Sequence, residues 1–317
     1  MADASFSKND DGVEAAGSRN PRLGPAGSDV FDGITGTWPS GAALALWVFV
    51  GLFAYLFIGN IASTFLLALN DVGFQDILSG QQDIFAENGN AFLGGNAIGL
   101  ALGLGGVALL ASALDSSRPL SYLRLKTCNT ADGALSLVAL ICLLPAVFAL
   151  DLLNEQIPLP DVLLRLEEQQ MELIEWFIGD GGNFALNMLF VVATPALFEE
   201  VFFRGYVQRR AEQGLGVVGG IILTGVIFGV FHLRLTQVLP LVLLGCYLAY
   251  VTWRTGSLWI PIVLHFLNNG LALSLSKWGP ESIADPEIVP WSLVVGSTLA
   301  FAVCILLIHR RNEKDHR

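Results

Sequence analysis

The stretch Phe198-Glu199-Glu200-Val201-Phe202-Phe203-Arg204 closes an apolar run that begins near Phe184. It reads F-E-E-x-x-x-R. Two adjacent carboxylates and a guanidinium inside a lipid-grade segment cost on the order of a few kcal/mol each when unpaired. Partners for them stand downstream, in Phe228-x-x-x-His232 and His265-x-x-x-Asn269, and both of these also fall in apolar segments. The fold has to accommodate these three stretches.

The surrounding chain is built for a bilayer. Its 317 residues are 53% hydrophobic and 14% charged, with a mean hydropathy of +0.60, whereas a soluble domain carries about 25% charged residues. Apolar segments recur at about 42–69, 91–114, 133–152, 184–206, 217–232, 235–252, 258–277 and 289–309, which predicts an all-α, polytopic integral membrane bundle of about eight transmembrane helices. The fifth is short against the roughly 20 residues of a full crossing. The net charge of -11, with no basic cluster interleaved with aromatics, excludes a nucleic-acid partner. Cys128, Cys142, Cys246 and Cys304 have neither metal-type spacing nor a disulfide pattern.

Residues 1–40, rich in Gly, Ser, Asp, Asn and Pro, read as a disordered tail. A helical domain is expected over 41–310, with a short tail at 311–317. Fourteen of the 17 Lys and Arg residues, among them Arg204, Arg209 and Arg210 as an inner flank, fall on the side of the N-terminus. The positive-inside rule then places both termini in the cytoplasm, most simply at a plasma membrane. Gly95, Gly99 and Gly103 form a stripe that admits close helix packing, as do Gly216/Gly220 and Gly225/Gly229. In the acidic loop 153–183, Leu163, Leu164, Leu166, Met171, Ile174 and Phe177 recur at near-helical spacing, so an amphipathic surface helix is expected there.

Adjacent helical residues point about 100° apart, so Glu199 and Glu200 face different ways. Arg204, four residues after Glu200, shares its face, and this pairing leaves Glu199 free to face the bundle interior. A desolvated carboxylate suits a general base or a metal ligand. The same three charges also fit an inert network at the inner membrane edge. His265 and Asn269 project from one helix face as two N–H donors suited to an oxyanion, or as interhelical hydrogen bonds. One Glu, two His and one Asn meeting in a wet pocket describe amide hydrolysis, while Glu199, His232 and His265 are equally a candidate ligand set for Zn²⁺ or another divalent ion.

The ordered trio Glu199-Glu200-x-x-x-Arg204, Phe228-x-x-x-His232 and His265-x-x-x-Asn269 resembles the CAAX-processing and bacteriocin-processing intramembrane proteases (the CPBP or Abi group, with the Rce1-type prenyl endopeptidases). The resemblance spans about 184–275. It implies an intramembrane endopeptidase acting on a membrane-tethered protein or peptide in the lipid bilayer. Glu199 would activate the water, His232 would hold that water or a metal, His265 and Asn269 would form the oxyanion hole, and Glu200, Arg204 and Phe228 would support them. Both a metalloprotease and a metal-free glutamate mechanism fit the family. Some members are linked to bacteriocin immunity, so the alternative is a non-catalytic membrane scaffold or immunity-type protein. A solute transporter has no support from paired broken helices.

Straight helices raise a conflict. At about 1.5 Å per residue, Glu199 and His265 lie roughly 10–12 Å from the inner edge and His232 about 22 Å from it. The fifth segment must be tilted, broken or deep-starting, which Gly214, Gly216, Gly219 and Gly220 permit, and cleavage is expected near the cytoplasmic face.

Overall fold

The structure is a computed structural model that describes residues 32–79, 88–165, 167–168, 183–280 and 289–314. Apolar length decides its elements. Seven helices are long and apolar enough to cross a membrane: α1 (Ser40–Leu69), α2 (Gly89–Asp115), α3 (Thr130–Asn154), α4 (Phe184–Phe231), α5 (Leu235–Thr255), α6 (Trp259–Trp278) and α7 (Trp291–Lys314). Among the described residues no strand forms. The outer surface is as apolar as the interior. Along α1 the stripe Phe49, Phe53, Phe57, Ile61 and Phe65 faces outward at helical spacing, as a lipid-contacting helix requires. This is an all-α integral membrane protein.

Two of the expected segments, the fourth and fifth, are one 48-residue element that folds back on itself. Gly216 breaks it with φ 74° and ψ 177°, a conformation essentially confined to glycine. The two arms then lie side by side. A Cβ on Gly220 would sit 2.8 Å from the Glu212 nitrogen, and the Phe203 ring meets those of Phe228 and Phe231 at 5.3 and 5.1 Å. Glu199 and His232 stand almost equally far from Gly216, each about 25 Å along its arm. That symmetry resolves the conflict of depth. Gly216 is therefore the turn itself and not a packing stripe, whereas Gly225 and Gly229 do admit α5, whose Val242 and Cys246 a Cβ would strike.

The arginines explain why straight counting failed. Arg204, Arg209 and Arg210 are not an exposed inner flank; they are buried. Arg210 donates to both oxygens of Asp115, at 2.6 and 2.7 Å, and to the Thr35 carbonyl at 2.6 Å. Arg209 donates to the Tyr122 carbonyl at 2.9 Å, and Glu212 pairs with Arg124. The helix therefore continues through a buried polar layer before it turns. This layer gathers residues 33–36, 115–124 and the Gly216 turn at one end of the bundle. Ser257, which donates to Lys126 O, and Arg311, which donates to Asp132, lie at the same end.

The termini are more ordered than their composition suggests. Residues 1–31 lie outside the described residues, but 32–39 are tied down: Gly33 and Thr35 donate to the Asp115 and Leu114 carbonyls, and Asp32 accepts from Ser117. At the C-terminus, helix α7 runs on to Lys314, and 315–317 lie outside the described residues. In the acidic loop, 161–165 and 167–168 are helical, while Leu166, Met171, Ile174 and Phe177 lie outside the described residues. Glu167 is buried and caps the start of α5, accepting from Leu235 N and from Thr236 N and Oγ1.

Two apolar clusters result. One joins α1, α2 and α4, including Trp47, Leu104, Phe202, Phe203 and Tyr206. The other joins α3, α5, α6 and α7, including Leu140, Tyr247, Leu264 and Ile308. The polar motifs lie where the two clusters meet.

Candidate active site

A cavity of about 550 Å³ opens at that junction, lined by Glu199, His232, His265 and Asn269 together with Phe228. Every residue singled out by the three motifs is therefore at or beside one space. Its far wall comes from α1 and α2 through Tyr55 and Asn96.

Glu199 is 8% exposed, and its Oε2 is buried with no hydrogen-bond partner among the described residues. Opposite it, at 3.8 Å, is His232 Nε2. The other imidazole nitrogen, Nδ1, lies 2.8 Å from the Phe228 carbonyl, which can only accept. Nδ1 of His232 therefore carries a proton, and in the neutral imidazole Nε2 presents a lone pair to the Glu199 oxygen. Two acceptors too far apart to share a hydrogen bond leave a gap that a two-proton donor fits.

Glu200 behaves differently, as the helical phase predicts. It is fully buried, and its Oε1 accepts from Arg204 Nη1 and from His265 Nδ1, both at 2.8 Å. Arg204 also donates to the Gly245 carbonyl at 3.3 Å and stacks over the Phe228 ring, 4.2 Å from its centroid. The Phe228 ring meets both His232 and His265, with centroids 4.6 and 5.9 Å apart. Phe228 thus spaces the two imidazoles while its carbonyl fixes one of them. Glu200 fixes the other, leaving Nε2 of His265 for the cavity.

A π-helical stretch, Val201–Val207, follows the two glutamates, and another, Met188–Ala193, precedes Pro195. A proline ring clashes with the carbonyl four residues earlier, so a wider turn ahead of Pro195 has a local cause. The Val201–Val207 stretch carries Arg204 at its centre.

His265 and Asn269 also acquire a neighbour that the motifs do not contain. Asn268 Nδ2 donates to Asn269 Oδ1 at 3.3 Å, so the Asn269 amide N–H₂ is left to donate. Asn268 was visible in the sequence only as a second amide beside the motif residue. The Glu200–His265 contact had no sequence signal beyond helical phase. Tyr55 and Asn96 were visible only as polar residues in apolar runs.

The metal expectation fares differently. Among the described residues, no group of three or more His, Cys, Asp or Glu side chains is placed to hold a metal ion. Glu199 and His232 approach each other, and His265, held by Glu200 through Nδ1, keeps its Nε2 for the same cavity. Zn²⁺ sites in enzymes take three protein ligands.

The depth of the site also differs from straight-helix counting. Leu233, Arg234 and Gln237, from the linker before α5, line the cavity. That linker lies at the end opposite the buried arginine layer. The site is thus displaced from the arginine-rich end, because α4 runs on through that layer before it turns.

No curated protein and no solved structure matches the chain. Residues 181–271, which hold all three motifs, match the family model described as Type II CAAX prenyl endopeptidase Rce1-like, the same family that the motifs resemble.

Proposed function

We propose that this protein is an intramembrane endopeptidase in which Glu199 activates water against a peptide bond of a membrane-tethered protein or peptide. One observation carries the reading: a buried, unbonded Glu199 oxygen faces the lone-pair nitrogen of His232 across 3.8 Å in a cavity. A water there donates one hydrogen to each acceptor and turns its own lone pair toward a substrate carbonyl. Glu199 takes the proton as the water oxygen bonds to the carbonyl carbon. The oxyanion that forms accepts from the Asn269 amide, and from His265 Nε2 when that imidazole carries both protons. Glu199 then returns its proton to the leaving nitrogen as the C–N bond breaks.

The family match at 181–271 supports the reaction class. Orientation follows from charge: the end that gathers Arg124, Arg209, Arg210, Arg254 and Arg311 is assigned to the cytoplasm. The cavity reaches toward the other end, so the peptide is delivered from the non-cytoplasmic side and not, as the sequence suggested, near the cytoplasmic face.

The test compares protein termini in membranes from cells making wild type or Glu199→Gln at matched levels. New termini seen only with wild type are expected, since losing a general base costs about 10²–10⁴-fold in rate. Identical termini, with both proteins folded, would overturn the reading in favour of a non-catalytic scaffold.

A further inference from the structure

The family-model match, residues 181–271, does not include α1 and α2, yet these helices form a wall of the same cavity. Tyr55 of α1 donates its hydroxyl proton to Asn96 Oδ1 of α2 at 2.6 Å, and both line the cavity with Glu199 and His232. The Tyr55 ring lies 5.8 Å from that of Phe231, the residue before His232. This wall therefore rests on the element that carries one of the site's histidines.

The glycine stripe makes the contact. A Cβ on Gly103 would fall 2.4 Å from Tyr55 Cα, and one on Gly99 would fall 2.7 Å from the Tyr55 carbonyl oxygen. Gly95, next to Asn96, would collide with Ser63 at 2.0 Å. Only a run of glycines lets α1 and α2 approach closely enough for the Tyr55 hydroxyl to reach Asn96. The stripe thus sets the place of two polar groups as well as the packing of two helices.

An amide whose oxygen is occupied keeps its two N–H donors. On the α1–α2 wall, where the other lining residues are Leu52 and Leu56, such donors match the carbonyl oxygens of an extended peptide. We infer that Asn96 is a substrate-binding residue that donates to a backbone carbonyl of the peptide, and that Tyr55 is a positioning residue acting through Asn96. The inference rests on the peptidase reading for its choice of ligand. It adds to the site two residues outside the family-matched segment.

The experiment uses the full chain in lipid nanodiscs. The probe is a dansylated peptide carrying a farnesyl-cysteine near its C-terminus. Binding is measured on the Glu199→Gln background, where turnover cannot confound it, and turnover is measured on the wild-type background. Asn96→Leu should raise Kd and KM about 5–10-fold, the size of one lost hydrogen bond to a ligand, with kcat within about twofold. Tyr55→Phe, which keeps the ring against Phe231, should raise both about 2–3-fold. The double variant should be no worse than Asn96→Leu alone, because Tyr55 has nothing left to orient. Tyr55→Phe still reports if Asn96→Leu accumulates poorly.

Unchanged Kd in both variants would overturn the inference, as would multiplying effects in the double variant. So would a loss that follows only a lowered melting temperature, which marks a purely structural tie, or no binding of the probe to the Glu199→Gln protein. Wild type that cleaves while the variants bind and cleave normally sinks the inference alone. Wild type that binds without cleaving, with weakened binding in the variants, sinks the peptidase reading and leaves the binding role standing.

Discussion

Replacing Arg204 by methionine removes the cation that faces Glu200 and keeps an unbranched side chain of similar length in its place. Arg204 and Glu200 are both fully buried and 2.8 Å apart. Removing one partner of such a pair leaves an uncompensated charge and costs about 3–5 kcal/mol. The guanidinium over Phe228 at 4.2 Å adds up to about 2 kcal/mol in a desolvated setting. His265 still donates to Glu200 and offsets part of the loss. A net cost of about 3 kcal/mol is expected, a melting shift of about 4–5 °C for a chain of this size. The buried pair is itself poorly satisfied: Glu200 Oε2 and Arg204 Nε have no hydrogen-bond partner among the described residues. A pair like that contributes little net stability. The double variant Glu200→Gln with Arg204→Met, which removes both members of the pair, should therefore melt closer to wild type than Arg204→Met does, yet turn over slowly because His265 then faces a neutral amide in place of the carboxylate that anchors it. Thermal unfolding in detergent, read alongside peptide turnover, gives both quantities. Unchanged melting of Arg204→Met, or a double variant as unstable as the sum of the two singles, would refute the reasoning.

Two other predictions follow from the hairpin and from the position of the cavity. Gly216→Ala forces an alanine into backbone space near φ 74° and ψ 177°, at a cost of about 1–3 kcal/mol or a reopened turn; melting should fall and turnover should fall with it, because the Glu199–His232 gap depends on the two arms staying in register, and normal turnover would show that the turn does not set the site. Gln237→Cys should react with a membrane-impermeant maleimide added to intact cells, while the exposed Cys128 at the arginine-rich end reacts only after permeabilisation; the reverse pattern would invert the orientation assigned from charge.

The apolar segments were legible in the sequence because a bilayer imposes length and composition directly. Ser40–Leu69 and Trp259–Trp278 fall within a few residues of their expected spans. The motif residues were legible because ionisable groups in lipid-grade runs stand out, and helical phase was enough to pair Glu200 with Arg204. The remainder depended on contacts between residues distant in sequence. Arg210 looked like a membrane flank because its partner, Asp115, lies 95 positions away. The hydrogen bond from His265 to Glu200 is set by how α6 meets α4 across 65 positions, which no linear pattern carries. The reversal at Gly216 was one glycine among several in that stretch, and hydrophobic pattern carries no record of a positive φ. Tyr55 and Asn96 belong to no motif, and nothing linear relates them to Glu199.

The roles proposed for His265 and Asn269 can be separated by substitution. Glu200 Oε1 accepts from His265 Nδ1, so neutral His265 turns a lone pair into the cavity and only the imidazolium turns an N–H there. Asn269 donates from its amide in either case. If both stabilise the oxyanion, Asn269→Ala should lower kcat by about 10²–10³-fold, and His265→Gln, which places an amide donor at the same position, should keep more activity than His265→Ala. His265→Gln as slow as His265→Ala would mean that the reaction does not use a donor at that position. The Glu200–His265 contact would then resemble the carboxylate–imidazole pair of a general base and not half of an oxyanion hole.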